Sequence, residues 1–204
     1  MTQALTPKVI TIDGPSASGK TTLIRTLAAE LGCPHLSGGK VLRKFVYEQR
    51  KGTLDGTPES LKALVARPSL LAELDDPALE GDEIGLEMMR TFSSLESVKP
   101  VVEFHRQLAA LHPVIIVDGR IAGTQVFPDA CMKFFLHASL DARAARRGSD
   151  AAKEGLLKRD AAEAAAFGAD NVAPAKDAIV INTDDMSPVD VHTQCLEQIR
   201  LRLG

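Results

Sequence analysis

The sequence has no apolar run approaching the roughly 18 residues that a membrane-spanning helix requires, which excludes helical membrane proteins. Met1 to Lys8 carry no signal-peptide pattern, so a cytoplasmic location with no membrane partner is expected. The three cysteines, Cys33, Cys131 and Cys195, are odd in number and widely spaced. A disulfide framework or a CxxC metal site is therefore excluded, and buried thiols are expected. The basic excess of a duplex-binding protein is missing too: 24 Lys and Arg stand against 27 Asp and Glu, a net charge of -3, so no nucleic-acid partner is expected. The five histidines, His35, His105, His112, His137 and His192, show no metal-ligand spacing, and none is assigned a catalytic role. Internal repeats and heptads are absent, and a monomer is the default.

What is present fits one α/β domain: 204 residues, 45% of them hydrophobic and 25% charged, enough for one well-buried core with an appended subdomain. Strand-like runs at Val9 to Asp13, Val114 to Asp118, Lys133 to His137 and Ala178 to Asn182 are apolar enough for burial on both faces, with a weaker one at Pro34 to Ser37. Between them, helices are expected at Lys20 to Leu31, Gly39 to Lys51, Ile84 to Leu95, Val101 to Leu111, Asp141 to Arg147, Ala152 to Phe167 and Pro188 to Leu203. The alternation predicts a parallel sheet covered by helices, with ligands at the carboxyl ends of the strands. From Gly52 to Asp82 the pattern dissolves into Gly, Pro, Asp and Glu and reads as a peripheral insertion. Gly148 to Asp170, rich in alanine and charge, reads as an exposed, mobile helical lid.

The stretch Gly14-Pro15-Ser16-Ala17-Ser18-Gly19-Lys20-Thr21-Thr22 fits G-x-x-x-x-G-K-[ST] directly after the first strand and at the head of the first helix. In that arrangement backbone amides and the helix dipole bind phosphate, Lys20 adds a mobile positive charge, and the Thr21 hydroxyl is placed for Mg2+. A second feature, Val114-Ile115-Ile116-Val117-Asp118-Gly119-Arg120, ends a buried strand in an acid and an arginine. Asp118 is placed to order Mg2+, and Arg120 to pair with a substrate phosphate. His35-Leu36-Ser37-Gly38-Gly39-Lys40-Val41-Leu42-Arg43 reads as a second anion site at a helix start, with Ser37 as a hydroxyl ligand and Arg43 one turn on. Arg143, Arg146, Arg147, Lys158 and Arg159 put cations on and around the lid, beside Asp160 and Glu163, where a moving phosphoryl group would need them.

The order of these motifs, with Gly123-Thr124, Val126-Phe127-Pro128-Asp129-Ala130 and Arg159-Asp160 following, resembles the bacterial-type cytidylate kinases over most of the chain except about Gly52 to Glu96. The D-G-R to F-P-D-A run is the specific part, because many NTPases share the phosphate loop. The resemblance implies a P-loop nucleoside monophosphate kinase with a core (1–37, 98–147 and 171–204), a nucleotide-monophosphate-binding region (38–97) and a lid (148–170). Such a kinase moves the γ-phosphoryl group of ATP to CMP or dCMP with Mg2+, and its partners are small-molecule nucleotides.

Carried onto this chain, the resemblance implies that Gly14 to Thr22 hold ATP, with Arg143 or its neighbours at the lid hinge against the adenine. Ser37, Gly38, Arg43, Arg120 and Glu163 would contact the acceptor. Lys20, Asp118, Arg120 and Arg159 would serve the transfer, and Thr21 and Asp118 the metal. The family pattern reads D-G-R-D where this chain has Ile121, and an arginine-dense lid where it has Ala161, Ala162, Ala164, Ala165 and Ala166. Lys99, Lys153 and Lys158 are candidate replacement cations, Lys99 for the acceptor site, although lysine does not reproduce a bidentate fork. These departures keep two alternatives open: a kinase of a modified pyrimidine nucleotide or another small metabolite, and a non-catalytic ATP-binding regulatory module.

Overall fold

The computed structural model describes residues 7–148 and 152–203; the start of the N-terminal stretch and residues 149–151 of the expected lid lie outside the described residues. Among the described residues five parallel strands, β1 (Lys8–Asp13), β2 (His35–Ser37), β3 (Val114–Gly119), β4 (Met132–His137) and β5 (Ile179–Asn182), form one sheet in the order β2-β3-β1-β4-β5. All five are strand segments expected from sequence, and their β-branched runs suit strands buried on both faces. Register aligns Asp13 with Gly119 and Ser37 with Asp118, so the motif-bearing ends emerge along one edge.

Helix α1 (Lys20–Leu31) follows the phosphate loop and packs with the last helix, α10 (Pro188–Leu203), on one face of the sheet. There Leu23, Leu27, Cys195 and Ile199 meet Ile10, Ile12, Phe134 and Leu136 in one core. Both helices keep the bounds read from sequence, and Ser187 caps α10 as expected, its Oγ accepting from the Asp190 amide at 3.2 Å. On the opposite face α6 (Lys99–Ala109) covers Val9, Leu36, Ile115 and Val117 through Ala109. Cys195 is buried as expected, whereas Cys33 and Cys131 are only partly so, each at the rim of the α1–α10 core.

A second core lies beside the sheet. It gathers α2 (Gly38–Arg50), α3 (Pro58–Val65), α4 (Leu70–Glu73) and α5 (Asp82–Thr91), with Phe45, Leu61, Leu64, Leu70 and Phe92 inside. The stretch from Gly52 to Asp82 is thus no featureless insertion. Thr57 caps α3 through the Ser60 amide at 3.2 Å, and Leu61, Leu64, Leu70 and Leu79 are each at most 2% exposed. Each short helix or turn hides only one or two leucines, too few to register as periodicity. Helix α5 starts before Ile84 and stops at Thr91, short of the expected Leu95, because Phe92 leaves the helical conformation and packs edge-on against Phe45 at 5.5 Å.

After α7 (Leu140–Arg146), helix α8 (Ala152–Phe167) has the expected bounds but not the expected exposure. Leu156, Arg159, Glu163 and Phe167 are buried along one face, and Phe167 joins the second core. The reason is that two of those four residues are charged and find partners inside the cleft. The short α9 (Ala169–Val172) then leads back to β5.

Candidate active site

The loop after β1 turns at Gly14, whose φ of 145° places its bare α-carbon where a Cβ would sit 2.3 Å from the Leu136 carbonyl oxygen, so only glycine fits. Ala17 takes a left-handed φ of 63°, the conformation that turns successive amides inward as an anion nest. Lys20 folds back over the loop, its Nζ donating to the Gly14 and Pro15 carbonyls at 2.6 and 2.9 Å. Burial and the neighbouring Arg120 hold its ammonium down to about 8, against the pull of Asp118, Glu163 and Asp13.

At the end of β3, Asp118 accepts a long hydrogen bond from the Ser37 hydroxyl at 3.4 Å. Burial raises this carboxylate to about 6, although Lys20 and the Ser37 hydroxyl pull the other way. Arg120, two residues on, donates to the Gly14 carbonyl at 2.8 Å and reaches Glu163 and Asp160 of α8, the latter at 3.5 Å. Asp13 braces these two loops. Its carboxylate accepts the amides of Ala122 and Gly123 at 3.0 and 2.7 Å, pinning the D-G-R loop to the strand that leads into the phosphate loop. Burial raises Asp13 as well. The following turn is wide, with Val126 and Phe127 amides bonding five residues back, and it directs Ile121 and Val126 into the second core.

Helix α8 is held over the cleft by ion pairs. Arg143 pairs with Asp160 at 2.7 Å and donates to the Ser16 carbonyl at 3.4 Å, while Arg159 donates to the Ser16 hydroxyl at 3.2 Å. From α2, Arg43 donates to the Leu79 carbonyl at 2.9 Å. Gly85 of α5 sits between the two guanidinium groups of Arg43 and Arg159.

The result is a cleft of about 230 Å³ lined by Ser16, Lys20, Thr21, Ser37, Gly38, Arg43, Asp118, Arg120, Arg159 and Glu163. Thus most residues named from sequence meet in one place. Gly14, Pro15, Ala17, Ser18 and Gly19 form the loop behind them, and Arg143 sits beside it. Thr22 is solvent-exposed in the first turn of α1. Lys99 is the clear correction: it stands 60% exposed at the head of α6, paired with Glu96 at 3.7 Å, and does not line this cleft. Lys99 is the first residue of α6, and that helix instead sends Val101, Val102 and His105 to the wall, beside Val98 just before it.

Sequence reasoning passed over three participants. Asp13 was legible only as a strand residue, although an acid ending an apolar strand beside a glycine-rich loop is a signal. Gly85 carried no signal. His105 carried only a partial one, as the polar member of the stripe Val98, Val101, Val102, a pattern a satisfied core histidine shares.

A parallel five-stranded sheet with a phosphate loop after its central strand is the architecture of the P-loop kinases. A gluconokinase from Sinorhizobium meliloti superposes with a TM-score of 0.54 at 12% identity, covering 96% of this chain and 94% of that one. A thymidylate kinase from Candida albicans does so with a TM-score of 0.51 at 13% identity, covering 96% and 92%. At such identities the likeness shows the fold alone. The family follows from sequence: the model described as Cytidylate kinase matches residues 10–201. A cytidylate kinase of Acidiphilium cryptum is 38% identical over 209 residues, 95% of this chain and 95% of the relative. One of Thermus thermophilus is 35% identical over 209 residues, covering 94% and 98%. The chain belongs to the cytidylate kinase family, and neither alternative left open by its sequence departures is favoured.

Proposed function

We infer that this protein transfers the γ-phosphoryl group of ATP to CMP or dCMP. The observation that carries the reading is the convergence of Lys20, Arg43, Arg120 and Arg159, from four separate segments, on one cleft above the phosphate loop, in a chain of this family. Phosphoryl transfer asks little covalent chemistry of a protein; it asks for two anionic substrates held in line and for positive charge around the group in flight.

The loop from Gly14 to Thr21 would take the ATP phosphates, and Lys20 would exchange its two carbonyl partners for phosphate oxygens. Ser37, Arg43 and Arg120 border the acceptor side. Arg159, already at Ser16 of the loop, can bridge donor and acceptor when the lid closes, and closure excludes water that would otherwise hydrolyse ATP. The lid acids Asp160 and Glu163 neutralise Arg120 and Arg143 in the structure; incoming phosphates would take over that role.

Mg2+ fits the residues present. Asp118 is a carboxylate pushed up by burial with only one long hydrogen bond, which suits a cation, and the Thr21 hydroxyl lines the same cleft. Among the described residues no group of three or more acidic, His or Cys side chains gathers, as expected for an ion that takes few protein ligands and shares the substrate's phosphates. Bound there, Mg2+ would offset charge on the transferring phosphates. We further read residues 38–97 as the acceptor-binding region and 148–170 as the lid, a division supported by the second core lying apart from the sheet. The protein is read as a cytoplasmic monomer; among the described residues no helix is long and apolar enough to cross a membrane.

A coupled ADP-release assay with ATP, Mg2+ and CMP, dCMP, UMP or AMP tests the reading. Turnover is expected with CMP or dCMP. Both inert while ATP binding persists would overturn it.

A further inference from the structure

His105 is the one polar side chain among the residues that α6 turns into the cleft, and it is 2% exposed. Its neighbours on that wall are Val98, Val101, Val102, Ile121 and Val126, a surface suited to the faces of a planar ring. The ring of His105 is fixed at one end. Nδ1 lies 2.6 Å from the Val101 carbonyl oxygen one turn back. A carbonyl can only accept, so Nδ1 carries the proton and donates, which leaves Nε2 as a lone-pair acceptor. Burial holds the imidazole down to about 4, so the ring is neutral at physiological pH.

Nε2 has no hydrogen-bond partner. It is buried beside Gly38, at the head of α2, whose Cβ, were there one, would stand 3.7 Å away, so the glycine keeps that neighbour small. A buried acceptor without a donor costs free energy until a donor arrives. In apolar surroundings the bond it then makes is strong and highly selective.

We propose that His105 determines base specificity at the acceptor site, its Nε2 accepting a hydrogen bond from the exocyclic amine of cytosine. This rests on the nucleotide-kinase reading above and adds which group discriminates the base. Cytosine presents an N–H donor at its 4-position. Uracil presents a carbonyl oxygen there, which would face the Nε2 lone pair with one of its own and leave both unpaired. The discrimination comes from a neutral histidine and needs no charge in this part of the cleft. Ile121, where the family pattern has an acid, is part of the same apolar wall.

The experiment measures kcat/KM for CMP and UMP with wild-type protein, His105→Leu and His105→Gln, alongside melting temperature and ATP affinity for each variant. Wild type should prefer CMP by at least about tenfold, the leucine variant should lose at least about tenfold of that ratio, and glutamine, whose Oε1 can accept, should regain part of it. A ratio unchanged in a folded leucine variant overturns the proposal. Should His105→Leu fail to fold, nitrogen-15 imidazole spectra of wild type decide the matter: the Nε2 resonance of His105 should move on saturation with CMP and not with UMP. No movement with CMP overturns it. A wild type that phosphorylates no pyrimidine nucleotide sinks the kinase reading itself, whereas a CMP-specific wild type with indifferent variants sinks only the role of His105.

Discussion

Gly85→Ala separates what holds the second core together from what arms the cleft. A Cβ at this position in α5 would lie 2.8 Å from Arg159 Nη2 and 3.1 Å from Arg43 Nη2. Ordinary contact is about 3.5 Å or more, so each guanidinium must retreat by roughly half an ångström. Both are anchored, Arg43 on the Leu79 carbonyl at 2.9 Å and Arg159 on the Ser16 hydroxyl at 3.2 Å, so retreat weakens a bond at each. Alanine in mid-helix is favoured over glycine by about 1 kcal/mol, and two weakened hydrogen bonds together cost at most about 1–3 kcal/mol. The first partly offsets the second, and stability in a urea melt should fall by no more than about 2 kcal/mol. Activity has no such offset. Losing one charged hydrogen bond to a phosphate, about 1.5–3 kcal/mol, lowers kcat/KM for CMP roughly 10- to 150-fold. A variant with kcat/KM within threefold of wild type would refute the idea that the gap at Gly85 positions the two arginines.

Three further outcomes follow from the site. Lys20→Ala should lower turnover at least about 100-fold while the melt stays close to wild type, since among the described residues Nζ bonds only to carbonyls of its own loop. With Lys20 held down to about 8, the wild-type cation is present below that pH and lost above it, so kcat/KM for ATP should fall as pH rises through 8; a flat profile to pH 9 would contradict the assignment. Asp118→Asn should lower turnover but stabilise the ligand-free protein at pH 7. With its pKa raised by burial from 3.8 to about 6, the folded protein holds this proton more tightly than the unfolded chain. The penalty of the ionised form is therefore complete above pH 6 and gone below the unfolded value, at most about 3 kcal/mol. A destabilised variant at pH 7 would show that the carboxylate is not strained.

Much of this site was legible because it lies where local rules and tertiary structure agree. Apolar strands ending in Asp13, Ser37 and Asp118 had to be parallel and buried, and parallel strands bring their carboxyl ends to one edge. The phosphate loop follows directly, as local sequence dictates both its turn at Gly14 and the start of α1. What was illegible depends on long-range partners. The buried face of α8 includes Arg159 and Glu163, so no apolar period marks it, and their burial makes sense only once Ser16 and Arg120 stand opposite. Lys99 looked available as a replacement cation because charge is visible in sequence and direction is not. His105 could not be told from a satisfied core histidine until its Nε2 was seen to lack a donor.

The alanine-rich lid changes meaning for the same reason. Counted as missing arginines, Ala162 and Ala166 are losses of charge from the cleft. In the folded chain both pack against the second core, next to the Phe167 that closes it. Small side chains let α8 lie close to α5, whose own facing residue is Gly85, and that closeness lets Arg159 span the distance from the lid to Ser16. A lid of long charged side chains would hold substrate by many forks and stand further off. This one combines contact between helices with a few largely buried ion pairs. The seating of α8 should therefore respond to side-chain volume at the α5–α8 contact more than to ionic strength, because packing is not screened by salt and buried ion pairs are screened far less than exposed ones.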